Sequence, residues 1–392
     1  KKSNVGGIGR DGRESSPSLF AALVKGLSYH SDLQLVDLGV VSTPMVYYAS
    51  HHWKLGGAFQ ITASHNPKED NGIKMMLGQS TLFGEQVTSL ADDIEAFYRE
   101  RETLKLSAPA DPLTNRAEEL ERSYLDYMLT QFTPRITKKL NVVVDCANGM
   151  AGLMARKILR PFTSDLEILF EEVDCSFPNH EADPTVAANL KDLIAMVKKK
   201  KADVGFSFDG DGDRLGMVTG EGRIIYGDEI LMLLSEMVLK EMPGATVIGE
   251  VKCSQKLFAR ISSLGGVPIM YRTGHSLIKE KMKETGAPLA GEMSGHLFFA
   301  DRFFGFDDGI YAMLRVLEVL SQESWSFQDW LREFPPSICT PEWRISFSEA
   351  DLAGLVARLT DVVKNEGQGE INDIDGIRVS YSDGSWFLLR LS

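Results

Sequence analysis

The sequence predicts an α/β protein with three consecutive mixed α/β domains of related topology and a smaller C-terminal α+β domain. Short apolar runs alternate with longer amphipathic stretches, and this order begins again at Leu140 and at Ala245. Each repeat also places a polar or glycine-rich loop after an apolar run. Such a β-α-β order favours a mostly parallel sheet covered by helices, and its recurrence indicates a threefold internal architecture. The predicted domains are residues 1–138, 139–223, 224–336 and 337–392.

The first domain alternates predicted strands with predicted helices. Thr43 and Pro44 supply a threonine cap followed by a proline at the first helical position, which marks the start of a helix. The predicted elements are a strand at 5–9, a helix at 19–29, a strand at 33–41, a helix from Thr43 and a strand at 57–61.

The second and third domains repeat this order, and the last domain departs from it. Residues 140–145 form an apolar run typical of a buried parallel strand. A helix is predicted at 150–159, with further strands at 202–208, 245–251, 266–271 and 287–290. The last domain has a predicted helix at 349–365 and strands at 378–382 and 386–391, joined by the hairpin signal Asp383-Gly384.

Composition and charge exclude several classes of protein. Apolar residues make up 43% and charged residues 25% of the 392, as in an ordinary soluble globular chain. The net charge of −13 argues against nucleic acid as a partner, and no apolar run reaches the roughly 18 residues that cross a bilayer. The four cysteines form no CxxC pair, which suits the reduced thiols of a cytoplasmic protein. Neither a membrane nor an obligate protein partner is expected.

The strongest chemical signal is the acidic stretch Asp209-Gly-Asp-Gly-Asp-Arg214, which follows an apolar run. Its three carboxylates repel one another unless a cation holds them, and hard oxygen ligands favour Mg²⁺ or Ca²⁺. An EF-hand is excluded, because its sixth and twelfth positions are here Arg214 and Gly220. We therefore predict a Mg²⁺ site at Asp209, Asp211 and Asp213, completed by a phosphate oxygen. A solvated acidic turn is the competing interpretation.

Ser64 is the candidate nucleophile. It lies in the stretch ITASHNPK, after an apolar run and before a turn that Asn66-Pro67 imposes. A serine hydroxyl needs activation by a base, a metal or a phosphate, and the Gly-x-Ser-x-Gly elbow of hydrolases is absent here. A phosphorylated Ser64 would complete the metal site, with Lys74 returning a cation to the loop. A structural role for this serine is the competing interpretation.

A second glycine-flanked stretch, Gly291-Glu-Met-Ser-Gly-His296, offers a carboxylate, a hydroxyl and an imidazole. These groups suit the vicinal hydroxyls of a sugar, because a carboxylate accepts two hydrogen bonds and a hydroxyl adds direction. Cations follow other predicted strands at Lys252 and in Arg272-Thr-Gly-His-Ser276. Arg390 and Ser392 lie two residues apart in a predicted strand and so face one side, which suits a phosphate. For each of these, a solvated surface is the alternative.

The motifs TASHNP, DGDGDR, GEMSGH and a terminal RxS hairpin, in this order, resemble the α-D-phosphohexomutase superfamily. The GEMSGH form, with VKCS and RTGHS, looks most like its phosphomannomutase/phosphoglucomutase branch. The resemblance covers essentially the whole chain. It implies four domains around a central cleft, and an enzyme that interconverts hexose 1-phosphate and hexose 6-phosphate of mannose or glucose through a phosphoserine and a 1,6-bisphosphate.

The resemblance also implies a role for each site residue. One Mg²⁺ per chain would be held by the phosphate of Ser64 and by the three aspartates, and hexose 1,6-bisphosphate would act as activator and intermediate. Small phosphosugars would be the partners. The implied catalytic residues are Ser64, His65, Lys74, Arg214 and His296, and the implied substrate-binding residues are Lys252, His275, Glu292, Met293, Ser294, Gly295, His296, Arg390 and Ser392.

Two departures from the family pattern bear on these expectations. The family begins with a Tyr-Asp-x-Arg-Gly-like stretch and continues beyond its Arg-x-Ser stretch, whereas neither segment is present between Lys1 and Ser392. The fourth domain is therefore expected to be incomplete, and a chain that truly lacks these segments is expected to bind phosphate poorly. Three alternatives stay open: a phosphoglucosamine mutase, for which a glutamine-containing sugar loop is expected, a non-catalytic phosphosugar-binding protein, and a phosphatase using the same metal site.

Overall fold

The structure is a computed structural model that describes residues 3–30, 32–100, 113–322, 326–340, 342–343, 345, 349–367 and 369–390. Separate sheets of six, five, four and three strands follow one another along this part of the chain. The first three are mixed sheets with helices, and the last is antiparallel. The predicted fold class is confirmed.

The first sheet has the strand order β5-β4-β3-β1-β2-β6, with β4 antiparallel to β3 and the strands from β3 to β6 parallel. The helix predicted from Thr43 begins at that residue, but the predicted threonine cap is wrong: Ser42 is the N-cap, and the Thr43 hydroxyl donates to Asp211. The elements are β1 (Val5–Arg10), α1 (Ser16–Leu27), β2 (Gln34–Val40), α2 (Thr43–His52), β3 (Gly57–Ile61), β4 (Ile73–Leu77), β5 (Ser80–Thr81), α3 (Glu85–Glu100), β6 (Leu113–Asn115) and α4 (Ala117–Phe132).

The second sheet has the order β11-β10-β9-β7-β8, in which β10 runs antiparallel to β9. The helix predicted at 150–159 is a 3-10 turn, Met150–Leu153, followed by the short helix α5. The elements are β7 (Leu140–Asp145), α5 (Ala155–Leu159), β8 (Thr163–Leu169), α6 (Lys191–Lys200), β9 (Val204–Phe208), β10 (Leu215–Thr219) and β11 (Ile224–Ile225).

The third sheet has the order β13-β12-β14-β15, in which β15 runs antiparallel to β14. The elements of this domain are α7 (Gly227–Glu241), β12 (Thr246–Glu250), α8 (Gln255–Ser263), β13 (Val267–Tyr271), α9 (His275–Thr285), β14 (Leu289–Gly291), β15 (Leu297–Phe299), α10 (Gly309–Leu320) and α11 (Phe327–Glu333).

One topology recurs in these three sheets. Three parallel strands lie in the order second, first, third, and an antiparallel strand follows beside the third: β2-β1-β3-β4, β8-β7-β9-β10 and β13-β12-β14-β15. The sequence analysis did not identify these antiparallel strands, each of which is reached through a polar or glycine-rich loop. The connecting loops occupy the same place in each sheet. We name them the serine loop (62–72), the acidic loop (209–214) and the glutamate loop (292–296).

The last domain comprises the helix α12 (Glu349–Glu366) and an antiparallel sheet of β16 (Glu370–Asn372), β17 (Ile377–Ser380) and β18 (Trp386–Leu389). The predicted hairpin joins β17 to β18, and Gly384 takes the positive φ of 85° that such a turn requires. Arg378 docks this domain on the third, because its buried guanidinium donates to the Cys253 carbonyl at 2.7 Å.

A single buried apolar cluster draws side chains from the first three domains. The helix α10 lies at its centre, with every residue from Gly309 to Val319 buried. Phe132 of α4 packs edge-on against Tyr311, with ring centroids 5.2 Å apart. Because each large apolar side chain removed from water contributes about 1.5–3 kcal/mol, this cluster fixes the three domains, and hence their loops, relative to one another.

Two further observations concern the helices and the cysteines. None of the helices in the described part of the chain has both the length and the hydropathy that a membrane crossing requires. All four cysteines are free; Cys146, Cys175 and Cys253 are buried and Cys339 is exposed. The prediction that the four cysteines carry unpaired thiols is confirmed.

Candidate active site

The serine, acidic and glutamate loops meet at one junction, although each belongs to a different sheet. Main-chain contacts join the second and third loops: Arg214 pairs with His296 in an antiparallel bridge, and the Leu215 amide donates to the Gly295 carbonyl at 3.0 Å. Each loop follows the carboxyl end of a parallel strand, the place where open α/β sheets bind ligands. The junction of the three loops is therefore the candidate active site.

Ser64 is presented at this junction by a strained loop. Its φ of 52° lies in the left-handed region, which is costly for a residue with a side chain. Its Oγ donates to Oδ2 of Asp209 at 2.7 Å and lies 3.2 Å from Nδ1 of His65. Strain of this kind persists only where surrounding contacts impose it, and it concentrates at functional sites. The hydroxyl predicted as the nucleophile thus faces the predicted metal ligands.

The serine loop is held by Arg13, which the sequence analysis did not identify. Its guanidinium is buried, and Nη1 and Nη2 donate at 2.6–3.1 Å to the main-chain carbonyls of Ser64, Asn66, Pro67 and Asp70. Asp11 lies 3.2 Å from its Nε. Arginine suits this position because its planar fork makes several fixed hydrogen bonds at once. The sequence signal is an Arg-Asp-Gly-Arg stretch after β1, whose spacing does not reveal a contact 51 to 57 residues later.

Asp209, Asp211 and Asp213 form a cluster that fits a divalent cation. Their oxygens lie within 4.8 Å of one another, and all three side chains are fully buried. Oδ1 of Asp211 and Oδ1 of Asp213 have no hydrogen-bond partner among the described residues. Buried carboxylate oxygens without donors are costly unless a cation takes them, and an all-oxygen set favours Mg²⁺. Burial, together with Asp213 and Asp211, raises the pKa of Asp209 well above its usual value.

Lys74 supplies a positive charge to this cluster from the first domain. Its Nζ lies 2.7 Å from Oδ2 of both Asp211 and Asp213. Burial opposes the charged form, but the two carboxylates outweigh it and hold the pKa of Lys74 well above its usual value. The Thr43 hydroxyl, at the start of α2, also donates to Asp211. The first domain therefore contributes both a cation and a hydroxyl to the carboxylates of the second.

His296 is oriented by groups on both sides of its ring. Its Nε2 accepts from Nε of Arg214 at 3.0 Å, and its Nδ1 lies 2.8 Å from Oδ2 of Asp307. Because an arginine Nε only donates, the ring proton lies on Nδ1, toward Asp307. Lys279 approaches Oδ1 of Asp307 at 3.2 Å. His275 stacks on His296 at 5.5 Å, and burial, with the charge of Lys279, lowers the pKa of His275 well below its usual value.

The glutamate loop is pre-organised by its own contacts. Oε1 of Glu292 accepts from the Gly274 amide at 2.6 Å, and the Ser294 hydroxyl lies 3.4 Å from the other oxygen of Glu292. Gly295 has a φ of 93°, and a Cβ there would meet the Leu215 carbonyl oxygen at 2.6 Å. Only glycine fits this position, so the tight turn that brings Glu292 and Ser294 together depends on it.

Glu250, at the end of β12, supports that loop and was not identified from the sequence. It is fully buried, and its Oε1 accepts from the Met293 amide at 2.8 Å. Its other oxygen accepts from the Thr273 hydroxyl, and Nζ of Lys252 lies 3.9 Å from its Oε1. Burial and the nearby carboxylate of Glu292 raise the pKa of Glu250 to about 7. The sequence places this glutamate inside an apolar strand, where nothing distinguishes it from an edge residue.

The fourth domain approaches the site less closely. Arg390 directly follows β18, and its Nη2 lies 3.4 Å from Oδ2 of Asp375. The same oxygen of Asp375 accepts from the Thr273 amide at 3.0 Å, which ties the two domains together. Ser392 lies outside the described residues. Arg390 therefore pairs with Asp375, and Asp375 in turn contacts Thr273 of the third domain.

Three sequence families match this chain in succession. They are the phosphoglucomutase/phosphomannomutase alpha/beta/alpha domains I, II and III, at residues 1–104, 122–222 and 226–338. A phosphomannomutase/phosphoglucomutase of Pseudomonas syringae is 43% identical over 98% of this chain and 80% of its own length. A phosphoglucomutase of Neisseria gonorrhoeae is 42% identical over 98% of this chain and 81% of its own length.

Solved structures show the same likeness. A phosphoglucomutase/phosphomannomutase family protein of Burkholderia thailandensis superposes with a TM-score of 0.86 at 38% identity, over 99% of this chain and 82% of that one. Parafusin, a phosphoglucomutase of Paramecium, superposes with a TM-score of 0.73 over 100% of this chain and 81% of that one. At 17% identity, the second likeness concerns the fold alone.

Proposed function

The chain belongs to the phosphoglucomutase/phosphomannomutase family, and from this premise we propose that it interconverts the 1-phosphates and 6-phosphates of glucose and mannose. The observation that carries the proposal is the position of Ser64. Its Oγ lies 2.7 Å from Asp209, inside a buried cluster of three carboxylates and one lysine. A protein that only binds phosphosugars has no need of a strained hydroxyl beside a metal-binding cluster.

The proposed reaction begins with a phosphoryl group on Oγ of Ser64. The 6-hydroxyl of hexose 1-phosphate attacks that phosphorus, a new O6–P bond forms, the Oγ–P bond breaks, and the hydroxyl proton passes to a base. The 1,6-bisphosphate then turns over within the cleft. In the second half-reaction Oγ of Ser64 attacks the phosphorus at C1, and the released O1 of hexose 6-phosphate takes up a proton.

The residues at the junction fit the charges and protons of this scheme. Mg²⁺ on Asp209, Asp211 and Asp213 would offset negative charge on the transferring phosphoryl group. Arg214, 3.8 Å from Asp209, adds a fixed positive charge beside it. Proton transfer needs a group that holds a proton in one half-reaction and releases it in the other. We assign proton handling to His296 and Lys74, with Lys74 as the proton donor because its pKa is held above the usual value, and with His65 beside the Ser64 hydroxyl.

The substrate-binding assignments follow the same logic. Glu292 and Ser294 would hold O3 and O4 of the sugar, with the Met293 and Gly295 backbone shaping the loop around them. Glucose and mannose differ at C2, which this grip does not contact, so both sugars are expected to react. Lys252, His275, Arg390 and Ser392 would bind the phosphate that is not being transferred. The Glu-Met-Ser sequence of the loop is the reason to place glucosamine phosphate second.

Compartment and partners complete the proposal. We place the protein in the cytoplasm, in keeping with its free cysteines. Small phosphosugars are its proposed ligands, hexose 1,6-bisphosphate its activator, and one Mg²⁺ per chain its metal.

A turnover assay tests this proposal. Purified protein with Mg²⁺ and a trace of glucose 1,6-bisphosphate is given glucose 1-phosphate or mannose 1-phosphate, and hexose 6-phosphate and inorganic phosphate are both measured. A mutase produces 6-phosphate without free phosphate, because water is kept from its phosphoserine. Release of inorganic phosphate at a matching rate would identify a phosphatase. Turnover of glucosamine 1-phosphate alone would move the assignment to that sugar.

A further inference from the structure

A second cleft, of about 210 Å³, lies between the first and third domains. Its walls come from α2, the β4–β5 hairpin, the start of α3, α9 and the loop at 304–306. We name it the rear cleft, and its principal lining residues are Tyr47, His51, Ser80, Lys279, Lys283 and Phe304. None of the residues that line it was assigned to catalysis or to substrate above.

The rear cleft lies one helical turn away from the catalytic junction, along each of two helices. The helix α2 carries Thr43 at the junction and Tyr47, one turn further along the same face, at the cleft. The helix α9 repeats this arrangement with His275 at the junction and Lys279 at the cleft. Two of the elements that build the catalytic junction therefore also build the cleft, and the two sites are separate.

The polar groups of the rear cleft favour a negative ligand. Lys279 and Lys283 are four residues apart and so share one face of α9. Lys283 lies 2.9 Å from the Ser80 hydroxyl across the cleft. Among the described lining residues, Glu280 alone is acidic, and it is exposed. Tyr47 is only 1% exposed, and its hydroxyl has no hydrogen-bond partner in the described part of the chain, which is uncommon for a buried donor.

The remaining wall is aromatic. The ring of His51 lies 5.4 Å from that of Phe304 and 5.3 Å from that of Phe306. Tyr47 meets Phe306 edge-on at 5.6 Å. Burial, with Lys283 and Lys279, lowers the pKa of His51 to about 4, so the imidazole is neutral near pH 7 and adds no charge to this wall. A flat apolar group stacks well on such a surface.

We propose that the rear cleft binds a small organic anion, with a phosphate or phosphonate group at Lys279 and Lys283 and a flat ring against His51 and Phe304. The lysines supply the charge-assisted contacts, and the unpartnered Tyr47 hydroxyl supplies a further donor. This binding site is independent of the mutase proposal, because none of its contacts involves Ser64 or the carboxylate cluster.

Occupancy of the cleft has a direct route to the catalytic histidine. Lys279 lines the cleft and lies 3.2 Å from Oδ1 of Asp307, and the other oxygen of Asp307 lies 2.8 Å from Nδ1 of His296. An anion that draws Lys279 toward itself weakens the contact that orients Asp307. The ligand is therefore an inhibitor that lowers kcat and leaves KM for hexose 1-phosphate unchanged. This second step rests on the proposed function, whereas binding does not.

The test uses 4-fluorophenylphosphonate as the probe, with binding to the full chain followed by fluorine NMR. Saturable binding is expected, and it should persist when hexose 1-phosphate is present in excess. Lys283→Glu should raise the Kd of the probe by about tenfold or more, as loss of a charge-assisted contact with added repulsion implies. Lys281→Glu is the matched control, because Lys281 lies on the same helix but pairs with Glu284 at 2.8 Å outside the cleft. Its Kd should equal that of the unmodified protein.

Three results would overturn the proposal: displacement of the probe by hexose 1-phosphate, equal Kd values for the two variants, or no saturable binding. Inorganic phosphate, which lacks a ring, should bind at the cleft more weakly than the probe. Equal Kd values for inorganic phosphate and the probe would show that the aromatic wall does not contribute to binding. The kinetic step is read separately from kcat and KM, so a chain without mutase turnover would still give a decisive binding result.

Discussion

Ser64 owes its position to residues far from it in the sequence. Its loop is held by four hydrogen bonds that the Arg13 guanidinium donates to main-chain carbonyls, and its hydroxyl is oriented by Asp209, to which it donates. A nucleophile displaced by about 1 Å loses on the order of 10²-fold in rate. The contacts that hold the main chain of this loop therefore matter as much as those that touch the reacting oxygen.

Replacing Arg13 tests that statement. Arg13→Lys keeps the charge but loses the planar fork that reaches several carbonyls, so kcat should fall by roughly 10²-fold while KM changes little. Steady-state kinetics on hexose 1-phosphate, with a melting curve for each variant, measures both effects. Arg10→Lys is the control: Arg10 pairs with Asp37 at 2.9 Å and does not contact the serine loop, so its kcat should stay within about twofold of the unmodified protein. A purely structural role for Arg13 would lower the melting temperature with kcat unchanged.

Glu250 predicts a pH dependence of stability. Its pKa is raised from 4.5 to about 7 in the folded chain by burial and by Glu292, so between these values the folded state binds more protons than the unfolded state. Stability from this group is therefore present at low pH and is lost as the pH rises through about 7. Glu250→Gln keeps an acceptor for the Met293 amide but removes the charge.

The melting temperature of Glu250→Gln, relative to that of the unmodified protein, should accordingly rise between pH 5 and pH 8. A difference in melting temperature that stays constant over this range would show that Glu250 is ionised in the folded chain throughout. Differential scanning calorimetry at matched ionic strength makes the comparison.

Sequence patterns predict candidate residues whose chemistry is local. Ser64, the three aspartates and the glutamate loop are short stretches with a chemical meaning of their own. Arg13, Glu250 and Asp307 were missed, because each acts through a contact with another part of the chain. Nothing in the neighbourhood of a buried glutamate in an apolar strand reveals which main-chain amide it will accept from.

At the scale of elements, the recurring unit explains why the chemistry converges. Each of the three mixed sheets places a loop between its third parallel strand and the antiparallel strand that follows, and these are the serine, acidic and glutamate loops. The sequence predicted most of the parallel strands and the loops after β3, β9 and β14, but it missed the parallel strands β6 and β8. It also missed β4, β10 and β15, each of which follows one of these loops and runs antiparallel to the strand before it.

The strand β17 holds the last domain against the third through one side chain, Arg378. Arg378 donates from this strand to the Val251 and Cys253 carbonyls and stacks on Trp386 at 3.9 Å, so it links the last domain to the segment bearing Lys252. Arg378→Met should leave the first three domains folded, make the segment between the third and fourth domains more sensitive to protease, and raise KM for hexose 1-phosphate.

The matched control for this prediction is Arg358→Met. Arg358 is exposed on α12 and donates to a carbonyl of its own helix, Gly354, at 3.1 Å. Limited proteolysis followed by mass spectrometry compares the two variants. Equal cleavage rates in both would mean that Arg378 does not hold the domain in place.

For the whole molecule, the carboxylate cluster is also a joint between domains. Lys74 and Thr43 come from the first domain, Asp211 and Asp213 from the second, and His296 and Asp307 from the third. The order of the domains was predictable from the recurring pattern. Their arrangement was not, because it depends on an apolar core shared among them, whose contacts lie far apart in the sequence.

Replacing Lys74 tests whether its ion pairs with Asp211 and Asp213 stabilise the contact between the first and second domains. Lys74→Met leaves two buried carboxylates without their cation, and breaking a buried pair in this way costs about 3–5 kcal/mol. The melting temperature in EDTA should fall by several degrees, and Mg²⁺ should restore more of it than Mg²⁺ adds to the unmodified protein. Lys25→Met, an exposed change on α1, should respond to Mg²⁺ as the unmodified protein does. A Lys74→Met variant that ignores Mg²⁺ would argue against metal binding at this cluster.

In the proposed mechanism, Ser64 carries the phosphoryl group between substrate and product. The most direct measurement is a single turnover: the protein is charged with labelled phosphate from glucose 1,6-bisphosphate, freed of ligand, and mixed with unlabelled hexose 1-phosphate. Label should appear on the peptide containing Ser64 and pass rapidly to the sugar, and Ser64→Ala should not be labelled. Label that stays on the protein, appears on another residue, or leaves only as inorganic phosphate would contradict this mechanism.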